Sequence, residues 1–138
     1  MLSVLKKLFV LLLSFSLALT SCASRKMYKY YSDTSNYIEV TGTVEFINYT
    51  ASELYLGFDM MLVRLSDNSF KIVGENLSIA KKNGIRDKLK MGTEATFITA
   101  PRYFGDGYVM PIVAISVDGE NLLEFEEGYE NLLLWLQE

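Results

Sequence analysis

Tyr37-Ile38-Glu39-Val40-Thr41-Gly42-Thr43-Val44-Glu45-Phe46-Ile47-Asn48-Tyr49 is the stretch whose reading decides the fold. Ile38, Val40, Val44 and Phe46 alternate with Glu39, Thr41, Thr43 and Glu45. That period of two turns one face of a strand to a core and the other to water. Gly42 falls on the apolar face, where a glycine marks a bend, a bulge or the close approach of another backbone. A long first strand that coils at a glycine is common in small closed barrels.

Downstream, Leu54, Leu56, Phe58, Met60 and Leu62 continue the alternation, whereas Met61, Val63 and Leu65 are apolar on the opposite parity. A one-residue slip exchanges the faces, so a bulge or break is expected near Asp59 to Met61. Ser66-Asp67-Asn68-Ser69 supplies turn residues before a third strand, Phe70 to Val73. From Asn76 to Leu89 the period becomes helical, with Asn76 or Ser78 available as a cap and Asn83-Gly84 as a breaker. Strands four and five follow at Thr93 to Ala100 and Tyr108 to Val117, with Pro111 pointing to an edge position or a bulge. Asp118-Gly119 is a two-residue hairpin signal. Beyond it, Glu120 to Phe125 forms a short sixth strand or begins a helix, and Glu126 to Leu136 reads as a helix. Its stripe of Tyr129, Leu132, Leu133, Trp135 and Leu136 requires burial.

The order strand, strand, strand, short helix, strand, strand resembles that of the oligomer-binding (OB) barrel. The resemblance is one of topology and implies a mainly β domain over residues 37–138. Its core would be a five-stranded Greek-key barrel, with a short helix between strands three and four and a C-terminal helix. The alternative is an open β-sandwich or meander with the terminal helix packed on one face.

Upstream, Lys6 and Lys7 form a charged n-region and Leu8 to Leu19 an apolar h-region, and Leu19-Thr20-Ser21-Cys22 closes on the one cysteine of the chain. A dozen residues interrupted by Ser14 and Ser16 fall short of the roughly 20 needed to cross a bilayer. A plain secretory cleavage site would need A-x-A chemistry, which is missing. The segment resembles the lipobox of bacterial prolipoproteins. The resemblance implies that residues 1–21 are a signal peptide and that Cys22, the lipidation site, receives a diacylglyceryl group and becomes the first mature residue. The protein would then be held in the cell membrane or outer membrane by its acyl chains, facing out of the cytoplasm. Residues 22–36 read as a lipidated tether, a flexible coil averaging about 20 Å. Its Arg25, Lys26 and Lys29, interleaved with Tyr28, Tyr30 and Tyr31, also suit anionic headgroups.

Losing residues 1–21 removes two of the 13 basic side chains and none of the 17 acidic ones, leaving 117 residues at net −6. That is one domain, too acidic to favour nucleic acid. With Cys22 acylated no thiol remains for a disulfide or a nucleophile, and histidine is absent altogether. The usual general base and transition-metal ligand are therefore missing, and no enzyme, metal or cofactor is expected. Ser78-Ile79-Ala80-Lys81 and Ser66-Asp67-Asn68 match two serine β-lactamase motifs, but in the wrong order, without K-T-G and in too short a chain. Glu124, Glu126, Glu127 and Glu130 read as the solvated face of the last helix rather than a glycosidase pair. Asp106 is one carboxylate where calcium needs six to eight oxygens. Asn48-Tyr49-Thr50 and Asn76-Leu77-Ser78 match glycosylation sequons that a bacterial export route does not normally use.

What remains is the loop before the fifth strand. There Arg102, Tyr103, Phe104 and Tyr108 offer stacking surfaces and a charge to a saccharide, a peptide or an envelope protein, unless Phe104 and Tyr108 turn inward to plug the barrel. Two functions are open: a non-enzymatic module binding a ligand or partner at the cell envelope, or an accessory subunit docking constitutively on an envelope complex through its C-terminal helix.

Overall fold

The structure is a computed structural model that describes residues 3–7, 25–49, 60–65, 68–101 and 109–137. A helix over residues 25–32, α1, and a 3-10 turn (Thr34–Asn36) lead into strand β1 (Ile38–Asn48). There follow β2 (Met60–Leu65), β3 (Asn68–Val73), α2 (Gly74–Lys82), α3 (Ile85–Lys88), β4 (Glu94–Thr99), β5 (Val109–Val117), β6 (Glu120–Leu123) and α4 (Phe125–Gln137). The fold is mainly β. Among the described residues one sheet carries six strands in the order β3-β2-β1-β4-β5-β6, and β3 also pairs with β5. That last pairing is parallel and the others are antiparallel.

The long first strand serves two partners in succession. Ile38 to Thr43 pair with β4, from Ile38 opposite Thr99 to Thr43 opposite Glu94. Val44 to Asn48 pair with β2, and the register skips a residue between Val44 and Phe46. The bulge therefore lies at Glu45, whereas Gly42 sits in regular register opposite Ala95. One extra residue exchanges the faces of everything beyond it. Val40 and Val44 point to the core as the alternation requires, but Phe46 is turned outward, 44% exposed, and Ile47 and Tyr49 take its place against the core. Ile38, also assigned inward by the alternation, is exposed as well.

In β2 the second parity prevails: Met61, Val63 and Leu65 are buried, and the register against β3 runs unbroken from Met60 to Leu65. Residues 50–59, where the first parity was read, lie outside the described residues, as do Ser66 and Asp67. Inside the sheet, Phe70 meets Phe97 edge to face at 5.3 Å. Leu77, Ile85 and Leu89 from the helical segment complete this core. Asn83-Gly84 breaks the helix as read, with Gly84 at φ +85°. Neither expected cap acts. Helix α2 already starts at Gly74, after Val73, and its first turn lacks a side-chain cap. Asn76 is instead buried between helices, its amide donating to the Gly128 carbonyl at 2.8 Å and its Oδ1 accepting from Asn131.

Pro111 pairs in register with Lys71, and the irregularity of this strand lies two residues further on. Strand β5 has β3, β4 and β6 as partners, and its register against β4 skips Val113. Asp118, at φ +50°, and Gly119, at φ +80°, make the tight turn into β6, which resolves the strand-or-helix alternative at Glu120 in favour of a strand.

A second, smaller core lies outside the sheet, where Tyr31, Ala100, Val113 and Leu132 are buried together. It corrects the reading of residues 23–36 as a flexible coil. Met27, Tyr30 and Tyr31 are spaced i, i+3, i+4, so one face of α1 carries enough ring surface to dock. Tyr31 is only 1% exposed. The hydroxyls on this face are satisfied on carbonyls: Tyr30 donates to Pro101 at 2.9 Å, Tyr37 to Tyr31 at 2.7 Å and Tyr129 to Ser32.

Helix α4 reaches this core through Gly128, which packs directly on β5 at the residue the β4 register skips. A Cβ at Gly128 would lie 1.8 Å from the Val113 carbonyl oxygen. Helix propensity alone would make Gly128→Ala stabilising by about 1 kcal/mol. The clash is with backbone, so the expected outcome is the reverse, a loss of about 3 kcal/mol or more. Urea unfolding followed through Trp135 fluorescence reads the sign directly.

Candidate functional site

Cys22, Arg102, Tyr103, Phe104 and Tyr108 all lie outside the described residues. The ends of the loop over residues 102–108 are placed, however. Pro101 is held by the Tyr30 hydroxyl on one side, and on the other Val109 pairs with Ser69 of β3. Glu124, Glu126, Glu127 and Glu130 are exposed, and Glu124 accepts from the Asn121 amide at 3.0 Å. Among the described residues no three His, Cys, Asp or Glu side chains gather as a metal site.

Strand register assembles a surface that the sequence does not display. Phe46 is opposite Arg64, Arg64 opposite Ser69 and Ser69 opposite Val109, so one row crosses β1, β2, β3 and β5. Partners across a ladder share a face. Since Val63 and Phe70 point to the core, Phe46, Arg64 and Ser69 point out. The neighbouring row, Asn48, Leu62, Lys71 and Pro111, lies on the same side. Trp135 of α4 closes its far end, with Lys71 Nζ 5.8 Å from the centre of the indole. The result is a face with an exposed ring, half-buried Leu62 and two cations. Glu45 pairs with Arg64 at 3.6 Å, but both are about half exposed, so this pair leaves Arg64 available to a competing anion.

Chemically, such a face suits a ligand that stacks on a ring and presents a negative charge. Phe46 was assigned to the core by its parity, and Arg64 drew no attention among apolar neighbours. The missing information is the bulge at Glu45, and the parity conflict around Met60 to Leu65 is the one sequence signal that β1 and β2 could not both keep their apparent phase.

A depression lies at the other end of β1, where the strand begins. One lobe, about 310 Å³, is lined by Thr34, Tyr37, Ile38, Glu39, Ile98 and Phe125. A smaller lobe of about 160 Å³ continues from Glu39 and Ile98 over β5 and β6. Tyr37, Phe125 and Tyr129 form an aromatic triad, with centroids 5.7 to 5.8 Å apart. The triad ties α1, β1 and α4 together. Burial, and secondarily the Tyr129 and Tyr30 hydroxyls, push the Tyr37 phenol well above its ordinary value near 10.

No known protein family matches the chain, and no curated protein sequence is similar to it.

A phenol with a raised pKa in the fold favours the neutral form there. Its contribution is intact below the unfolded value near 10 and is lost as pH rises above it. Stability is therefore expected to fall from about pH 10 upward, and Tyr37→Phe should flatten that fall while costing about 1 kcal/mol at neutral pH for the lost hydroxyl bond. Tyr49, which burial also pushes up against the opposing effect of Arg86, retains a residual slope. Urea midpoints of the two proteins across the alkaline range measure the difference.

Proposed function

We propose that this protein is a bacterial lipoprotein, acylated at Cys22 and anchored to the envelope membrane, whose domain is a non-enzymatic binding module with an OB-like fold. The sequence of pairings supports the OB reading: β1 to β2, β2 to β3, β3 to β5, β5 to β4 and β4 back to β1, with the helical segment between β3 and β4. Such a cycle of pairings is the one a five-stranded Greek-key barrel would make, with β6 and α4 appended to it. OB barrels bind on the outer face of strands two and three, between the loops that follow strands one and four. Here that face carries Phe46, Leu62, Arg64 and Lys71, and the loop after β4 is the one holding Arg102, Tyr103, Phe104 and Tyr108.

The observation that carries the reading is the row from Phe46 through Arg64 and Ser69 to Val109. It brings an exposed ring and a cation into register with Val109, the residue that follows the segment 102–108 in the chain. A carboxylate-bearing saccharide or an acidic peptide segment fits this chemistry, and nucleic acid is disfavoured by the acidic balance of the chain. Docking through α4 has less support. Leu132 is buried, Leu133, Trp135 and Leu136 are half-buried against the second core, and Leu134 is the exposed member of the run.

A photocrosslinking residue in place of Phe46, expressed in the native envelope, should form an adduct that Arg64→Ala weakens about tenfold, the worth of one charged hydrogen bond. The same residue in place of Leu134 should form none, and the opposite pattern would transfer the function to the terminal helix. Anchoring is tested separately. Cys22→Ala should leave an uncleaved precursor without lipid, and mass spectrometry showing a mature wild-type protein without acyl mass would refute the assignment.

A further inference from the structure

We infer that α1 is the surface by which the domain rests on an anionic bilayer, so that the acylated protein is held in one orientation and does not swing on a leash. The inference rests on the anchoring at Cys22 proposed above and adds what lies between anchor and domain. Helix α1 is fastened to the domain through its last turn, by the burial of Tyr31 and by bonds from Tyr30 to Pro101 and from Tyr129 to Ser32. With Tyr30 and Tyr31 turned inward, Arg25, Lys26 and Lys29 are left exposed. They form a single-sign patch on a chain that is otherwise acidic.

Covalent reach does the rest. Three residue steps separate Cys22 from Arg25, and three steps span at most about 11 Å in any conformation. The headgroup layer on each side of a bilayer is about 5 to 8 Å deep. An acyl chain on Cys22 therefore brings the first turn of α1 to the headgroups. Each basic side chain near an anionic surface favours contact about fivefold. A second exposed basic run, Lys82, Arg86, Lys88 and Lys90, lies along α2, α3 and the residues after them, but only α1 is joined to Cys22 by three residue steps, and that link selects its face.

Full-length protein, acylated in cells and reconstituted into phosphatidylcholine vesicles with or without phosphatidylglycerol, provides the test. Because acylation consumes Cys22, a single cysteine introduced as Lys29→Cys or Asp118→Cys reports through its reaction with a membrane-impermeant maleimide, and both positions are exposed in the fold. In vesicles containing phosphatidylglycerol at low salt, the cysteine at position 29 should react about tenfold more slowly than the one at 118. Arg25→Glu together with Lys26→Glu should remove most of that difference, as should omission of phosphatidylglycerol. Equal rates at the two positions, or a difference that survives charge reversal, would overturn the inference. The acyl mass on Cys22 is read from the same samples. Its absence overturns the anchoring itself, whereas acyl mass with equal labelling overturns the orientation alone.

Discussion

Everything in this fold depends on β1 having to satisfy two neighbours that want it in different phases. Its first half is the partner of β4 and its second half the partner of β2. A strand of strict alternation could serve both only by presenting one face throughout. The skipped residue at Glu45 lets Val44 point inward on one side of the irregularity and Ile47 on the other. The same step expels Phe46, a large ring whose exposure would otherwise count against the fold. Bulges recur beside functional surfaces because they re-aim a side chain without breaking the sheet. Here the core is completed and the ring presented by one local event.

The two helical layers are tied to the sheet in an equally economical way. Gly128 allows α4 to lie on the β5 backbone at Val113, the residue that the second irregularity in the sheet leaves unpaired with β4. The close approach then brings the Gly128 carbonyl within reach of Asn76 on α2, and Asn131 completes the arrangement from the next turn of α4. A buried amide with its donors and acceptors satisfied costs little and specifies geometry well. The position of α4 in turn creates the second core on which α1 docks, so the N-terminal segment is placed, at two removes, by an irregularity in β5.

Much of the architecture is legible in the sequence because it is local. The alternations of β4 and β5, the Asp118-Gly119 turn and the Asn83-Gly84 break each depend on residues adjacent in the chain, and each appears within a residue or two of its expected place. The bulge at Glu45 is not legible, since it changes phase without changing composition. Asn76 reads as a cap because its partner, Gly128, is 52 residues away. Helix α1 reads as a tether because Met27, Tyr30 and Tyr31 are scattered among lysines, and the surface that receives them, Ala100, Val113 and Leu132, comes from three distant elements. The candidate binding face was half visible. The composition of residues 102–108 is a local signal, but the row of Phe46, Arg64 and Ser69 exists only once the strand register is known.

Seven of the bonds that tie distant parts of the chain share one asymmetry. Tyr30, Tyr37, Tyr49, Asn76, Asn83, Thr99 and Tyr129 each donate from a side chain to a main-chain carbonyl elsewhere, at Pro101, Tyr31, Leu89, Gly128, Leu122, Pro111 and Ser32 respectively. Every residue has a carbonyl, so the receiving positions are free to drift in identity provided the backbone path is kept. The giving positions are not. In diverging descendants of this chain, the scaffold would thus be remembered by a sparse set of tyrosines, asparagines and one threonine, while overall similarity decayed around them. Kinship would then be easier to recognise from where those hydroxyls and amides fall on the fold than from an aligned run of letters.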